Sequence, residues 1–379
     1  MRLLLFMTVL TMFATEVGAA ALGSEVQSRQ NKDGVIISTA DGFPYETYEQ
    51  WFEEGRKQIV FDEASLRSEY PPEKFNDYKD KIHVPFATYD EWMSHLKRRS
   101  AMMLEKWKSI EAETRRSCPP EMFWEFKKTV DCSKIFYISD GLKIEGFVLK
   151  PRISNSGRYP VIIYNHGGNS RLASLDDTKL LHLGWLVRAG YLVIASQYRG
   201  CGGSEGQDEI GGSDVADVLN LIPLIDSLPF ADATKIGMFG WSRGGMMAYL
   251  TLAKTDRISV AVIGAGPTDF FTEVKNRSVV ELLLQRMVPG YTENRDDVLK
   301  DRSAQYWPEK LCRTTPILIL QGGEDKRCVP ASALKMALKL QECHQPFRLI
   351  FFEAGSHTLH EHQEEVDHEI RLWFAGHLK

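Results

Sequence analysis

Cysteine is scarce in this chain, with six among 379 residues. That density excludes a small scaffold held together by disulfides, and no C-x-x-C pair offers the spacing of a structural zinc site. A basic surplus is also missing: 46 Lys and Arg face 51 Asp and Glu, for a formal charge of -5. Composition therefore points to no nucleic acid and no anionic membrane surface as a partner. No apolar run reaches the about 20 residues that a membrane-crossing helix needs, so no membrane insertion is expected. The part from about 40 to 130 contains no self-similar period of 40 to 50 residues and is too short for a propeller of several blades. What is present is ordinary for a folded globular protein, 43% hydrophobic and 26% charged, with 29 Gly and 16 Pro.

The first 21 residues have the order of a secretory leader: Arg2, a mostly apolar run from Leu3 to Phe13, then Gly18, Ala19, Ala20 and Ala21. An exported location, periplasmic or secreted, follows as an expectation. Export would put the thiols in an oxidising compartment, and a bridge between Cys118 and Cys132 is expected at the junction of two differently textured regions.

The first of these, 22–130, is aromatic and charged and reads as a helical accessory region. Thr88 to Glu91 forms a capping box, and a helix over 89–116 should stop at Cys118-Pro119-Pro120. Trp92, Leu96, Met103 and Trp107 fall on one face of it and suit packing. The second region, 131–379, alternates short apolar runs with Gly-rich turns and amphipathic stretches. Strands are expected at 133–138, 143–149, 160–165, 191–196, 235–239, 259–263, 316–321 and 347–352. The first two flank Asp140-Gly141, a hairpin signal, and the later ones are apolar throughout, as strands covered on both faces must be. The pattern predicts an α/β fold with an eight-stranded, mostly parallel sheet, interrupted by an insertion at about 267–312.

The chemistry sits in four loops. Gly240-Trp241-Ser242-Arg243-Gly244 follows an expected strand and opens an expected helix, the context in which a sharp turn exposes a nucleophilic serine. A serine needs a base and the base needs an orienting carboxylate. Asp325 follows the strand 316–321, with Glu324 as its rival, and His357 follows the strand 347–352. Parallel sheets gather such groups at the carboxyl ends of their strands. His357, His360 and His362 could alternatively suggest a metal, but the triad order competes with that reading and no metal or other cofactor is expected. The backbone N-H of Arg243 and the loop His166-Gly167 are the candidate oxyanion donors.

Taken together these blocks resemble the prolyl oligopeptidase family of serine peptidases, of the α/β-hydrolase fold. The resemblance rests on Tyr164-Asn165-His166-Gly167-Gly168, on Gln197-Tyr198-Arg199-Gly200-Cys201 followed by Gly212-x-Asp214-Val215-x-Asp217, on the Ser242 block, and on Gly322-x-x-Asp325-x-x-Cys328-Val329-Pro330. It implies Ser242, Asp325 and His357 as the catalytic residues, with Asp325 preferred over Glu324. It also implies action on short peptides, without the β-propeller that precedes the hydrolase domain in well-known members. The same domain shape serves carbohydrate and other carboxylesterases, so a small ester is the alternative substrate. A non-catalytic binding protein on the same scaffold is the third reading.

Overall fold

The computed structural model describes residues 27–30, 36–57, 66–67, 71–76, 87–153, 157–169, 174–311 and 313–378. The leader expected at 1–21 lies outside them. The described residues form two units. One contains Pro44–Lys127; the other contains Lys128–Lys379 together with two strands from the N-terminal region.

In the first unit the capping box is present: Thr88 Oγ1 accepts from Glu91 N at 3.2 Å, and the Glu91 carboxylate accepts from Thr88 N. The helix it starts runs Tyr89–Ser117. Trp92 and Leu96 on its expected inner face are buried, whereas the side chains of Met103 and Trp107 lie outside the described residues. A second aromatic cluster joins Tyr48, Trp51 and Phe52 of the helix Tyr48–Lys57 to Phe123.

Among the described residues the second unit is built on one sheet of ten strands. The eight expected strands are all there: β3 (Val130–Ser139), β4 (Leu142–Pro151), β5 (Tyr159–Asn165), β6 (Leu192–Ser196), β7 (Ala231–Trp241), β8 (Val260–Gly264), β9 (Ile317–Gly322) and β10 (Phe347–Phe352). The two extra strands, β1 (Gln27–Gln30) and β2 (Ile36–Asp41), correct the expected count of eight and show that the start of the otherwise helical 22–130 region joins the sheet. β1 is the edge strand and needs no apolar run: Gln-Ser-Arg-Gln contains none. From β1 through β4 to β6 the pairings are antiparallel; β6, β5, β7, β8, β9 and β10 are mutually parallel.

Helices cover both faces of the parallel part. On β7 the position of Gly237 faces Phe374 and Leu378 of the C-terminal helix Gln363–Leu378. The adjacent Met238 points the other way, into the cluster that includes Met246 and Met247 of the helix Arg243–Leu252. This two-sided burial explains the unbroken apolar text of Ile317-Leu318-Ile319-Leu320, all nearly inaccessible. The insertion forms the short helices Phe270–Asn276, Ser278–Met287 and Arg295–Asp301. Its Trp307 is a core residue whose indole N-H donates to Lys300 O at 3.0 Å.

The expected Cys118–Cys132 bridge is not formed, and each residue is a buried thiol. The Cys132 sulfur packs where a Cβ on Gly42 would come within 2.9 Å of it, and burial pushes its pKa well up, keeping it protonated. Among the described residues no helix is long and apolar enough to cross a membrane.

Candidate active site

Strand β7 ends at Trp241 and a helix begins at Arg243, so Ser242 alone makes the turn. Its φ of 58° and ψ of -125° put a non-glycine residue in a sparsely populated region. The turn is held from β8, where Gly264 O accepts from Ser242 N at 2.8 Å. It is also crowded: a Cβ on Gly244 would stand 1.9 Å from Asn165 O, so only glycine fits. The side chain is left half-buried at the carboxyl end of the sheet.

His357 and Asp325 meet there, on loops after β10 and β9. His357 Nδ1 lies 2.8 Å from Asp325 Oδ2, with both side chains buried. The other carboxylate oxygen accepts from Arg327 N at 2.7 Å and Cys328 N at 2.9 Å, and Gln321 Nε2 donates to Oδ2 at 3.2 Å. Burial pushes the Asp325 pKa up, but the hydrogen bond and charge of His357 with the two backbone N-H groups outweigh it and hold the carboxyl below its usual range. With Nδ1 engaged, Nε2 is the nitrogen left for a serine proton. The loop is tied to the Ser242 turn by Trp241 Nε1, which donates to His357 O at 2.9 Å. Glu324 takes no part, being exposed and paired with Lys326 at 2.7 Å.

The oxyanion candidates also converge. A Cβ on Gly167 would lie 3.3 Å from Ser242 Cβ and 3.9 Å from its Oγ, so this backbone lies against the serine. The N-H of Arg243 opens a helix and has no acceptor within it. The His166 ring is directed elsewhere: its nitrogens sit 2.9 Å from Gly167 O and 3.1 Å from Gln197 O, and it stacks on Tyr198 at 4.2 Å. Burial, reinforced by the nearby Arg243 charge, lowers its pKa to about 4. His166 can thus serve an oxyanion through its backbone only.

Behind the loop, the Arg243 side chain is buried against Asp208 and Asp214 and lies over the Tyr198 ring. Arg199 pairs with buried Asp217 in the same layer at 2.7 Å. These partners account for the Tyr-Arg-Gly and Gly-x-Asp-x-x-Asp blocks, which carried no assigned role in the sequence. Two further groups were missed. Cys328 places its thiol beside the Ser242 hydroxyl and in one cluster with Asp325 and His357. Glu273, from the insertion, is buried and accepts from Val329 N at 2.9 Å; burial raises its pKa to about 7. His360 and His362 do not join His357: the first pairs with Glu361 at 2.9 Å and the second lies against Phe352.

Residues 178–379 match the sequence profile of the prolyl oligopeptidase family. The uncharacterized peptidase YtmA of Bacillus subtilis (strain 168) is 23% identical over 224 residues, covering 59% of this chain and 84% of that protein. The acylamino-acid-releasing enzyme of Homo sapiens is 27% identical over 263 residues, 63% of this chain; the match spans only 34% of that protein. An acetyl xylan esterase from Paenibacillus sp. R4 has the same fold, with a TM-score of 0.55 at 17% identity over 66% of this chain and 85% of its own.

Proposed function

The chain belongs to the prolyl oligopeptidase family and is a serine hydrolase, and on that premise we propose that it cleaves short peptides through an acyl-enzyme formed on Ser242. Ser242 Oγ attacks the scissile carbonyl while His357 Nε2 takes its proton. Asp325 fixes the imidazole and stabilises its charged form. The N-H groups of Arg243 and of the His166-Gly167 loop hold the oxyanion. His357 returns the proton to the leaving amine; water, deprotonated by the same imidazole, then releases the acid. The observation that carries this reading is the buried 2.8 Å contact of His357 with Asp325 beside a serine held on a strained turn.

A carboxylesterase using the same residues is the second reading. It draws on the fold shared with the acetyl xylan esterase, of which the match covers 85%. A panel of p-nitrophenyl esters and aminoacyl or dipeptidyl p-nitroanilides separates the two, read as kcat/KM over the uncatalysed rate. Greater acceleration of the anilides is expected; greater acceleration of the esters assigns the esterase. The run Leu3–Phe13 followed by Gly18–Ala21 supports action outside the cytoplasm.

A further inference from the structure

Three unlike donors meet at the site: the Asp325 carboxylate, the Cys328 thiol and a ring nitrogen of His357 lie within 4.8 Å of one another, all on buried residues. Catalysis as described above uses the first and third and has no task for the thiol. Carboxylate, thiolate and imidazole are the donor types that zinc and its heavier congener cadmium select, with bonds of about 2.0–2.3 Å to zinc. Donors already this close need only small side-chain rotations to share one ion. Cys328 and Asp325 are three residues apart on one turn, whose backbone is fixed by the N-H groups of Arg327 and Cys328 on Asp325 Oδ1. The third donor is brought in by the loop after β10.

We propose that the Asp325, Cys328 and His357 cluster is an inhibitory site for a thiophilic divalent cation, zinc or cadmium. Binding releases the thiol proton to water and leaves every oxidation state unchanged. It removes His357 and Asp325 from their mutual hydrogen bond, so the ion and the acyl-transfer reaction exclude each other. Burial pushes the pKa of the Cys328 thiol up first, the Glu273 and Asp325 carboxylates add to it, and Arg277 and a hydrogen bond with Ser242 oppose it, with Arg327 a second cation nearby. The same anions that disfavour a bare thiolate stabilise one neutralised by a divalent ion. Access is through the substrate opening, because the thiol lies beside the half-buried Ser242.

The inference builds on the proposed role of His357 for its effect on activity, but binding itself is readable without turnover. The full-length protein is titrated with cadmium while the thiolate-to-cadmium charge-transfer band and hydrolysis of a small chromogenic substrate are followed together. One equivalent is expected to bring up the band and abolish hydrolysis, and a chelator to reverse both. In Cys328→Ala the band should vanish, basal activity should persist, and the half-inhibitory cadmium concentration should rise on the order of 100-fold, at least what loss of a supporting group around a metal produces. Cys328→Val, closer in volume, replaces that variant if alanine prevents folding. A band and inhibition unchanged in the Cys328 variant, or a band that disappears only in Cys343→Ala, overturns the site. A band without loss of hydrolysis leaves the cation site standing and removes His357 from the catalytic role.

Discussion

Arg243 grips Asp208 through two parallel hydrogen bonds, Nη2 to Oδ1 at 2.6 Å and Nη1 to Oδ2 at 2.8 Å, and its Nη2 reaches Asp214 as well. The residue whose backbone is proposed to hold the oxyanion is therefore anchored through its own side chain. Arg243→Met leaves two buried carboxylates without their cation and is expected to destabilise the protein by on the order of 3–5 kcal/mol. Arg243→Lys keeps the charge but not the fork and should recover only part of that. Urea unfolding of the three proteins measures it. A loss below about 1 kcal/mol for Arg243→Met, the range of an exposed ion pair, contradicts the anchor.

Asp325→Asn should lower kcat by about 10⁴-fold, as loss of the orienting carboxylate does in serine hydrolases. Glu324→Gln, at an exposed residue paired with Lys326, should leave kcat within a factor of about two, since surface substitutions rarely matter. Steady-state kinetics on one substrate decides between them, and the reverse ranking would move the acid to Glu324.

Gly167→Ala tests the close approach of the oxyanion segment to Ser242. The new methyl would stand 3.0 Å from Trp241 O and 3.3 Å from Ser242 Cβ, displacing the loop or the serine by a few tenths of an ångström. One oxyanion donor is worth about 10²–10³ in kcat, and a loss in that range with little change in Tm is expected. Full activity in the folded variant would take this backbone out of the reaction.

Glu273 gives stability a pH dependence of known sign. Burial, relieved in part by the Val329 N-H and Arg277 and reinforced by Asp325 and Asp269, raises its pKa from the ordinary 4.5 to about 7. The fold therefore favours the protonated carboxyl. That stabilisation is complete below about pH 4.5 and is lost as pH rises through about 7, on the order of 3 kcal/mol in all. Glu273→Gln, always neutral, should gain stability relative to the parent as pH rises from 5 to 8. A difference in unfolding free energy that stays flat across that window refutes the shift.

Much of the sheet was legible in the chain because its central strands are apolar throughout, and a segment such as Val161-Ile162-Ile163 has no other economical place to go. The turn of Ser242 was legible because crowding writes glycine into the text at Gly244. β1 was not, since a polar edge strand looks like loop, and β2 offers only Ile36-Ile37 before Ser-Thr-Ala-Asp. The Cys118–Cys132 pairing failed because it was argued from compartment and spacing in the chain, neither of which fixes where the two Cβ atoms point. Cys328 and Glu273 were missed for a different reason: their significance lies in what faces them across loops and the insertion, and no periodicity encodes that.

The central claim is that Ser242 is the nucleophile, and the direct test is kcat for Ser242→Ala on whichever p-nitroanilide or ester the parent enzyme hydrolyses best. With circular dichroism and Tm unchanged, a fall of about 10⁴-fold or more is predicted, the scale on which removal of a triad nucleophile acts. A folded Ser242→Ala protein that keeps more than about a tenth of the parent rate, far above that scale, contradicts the account.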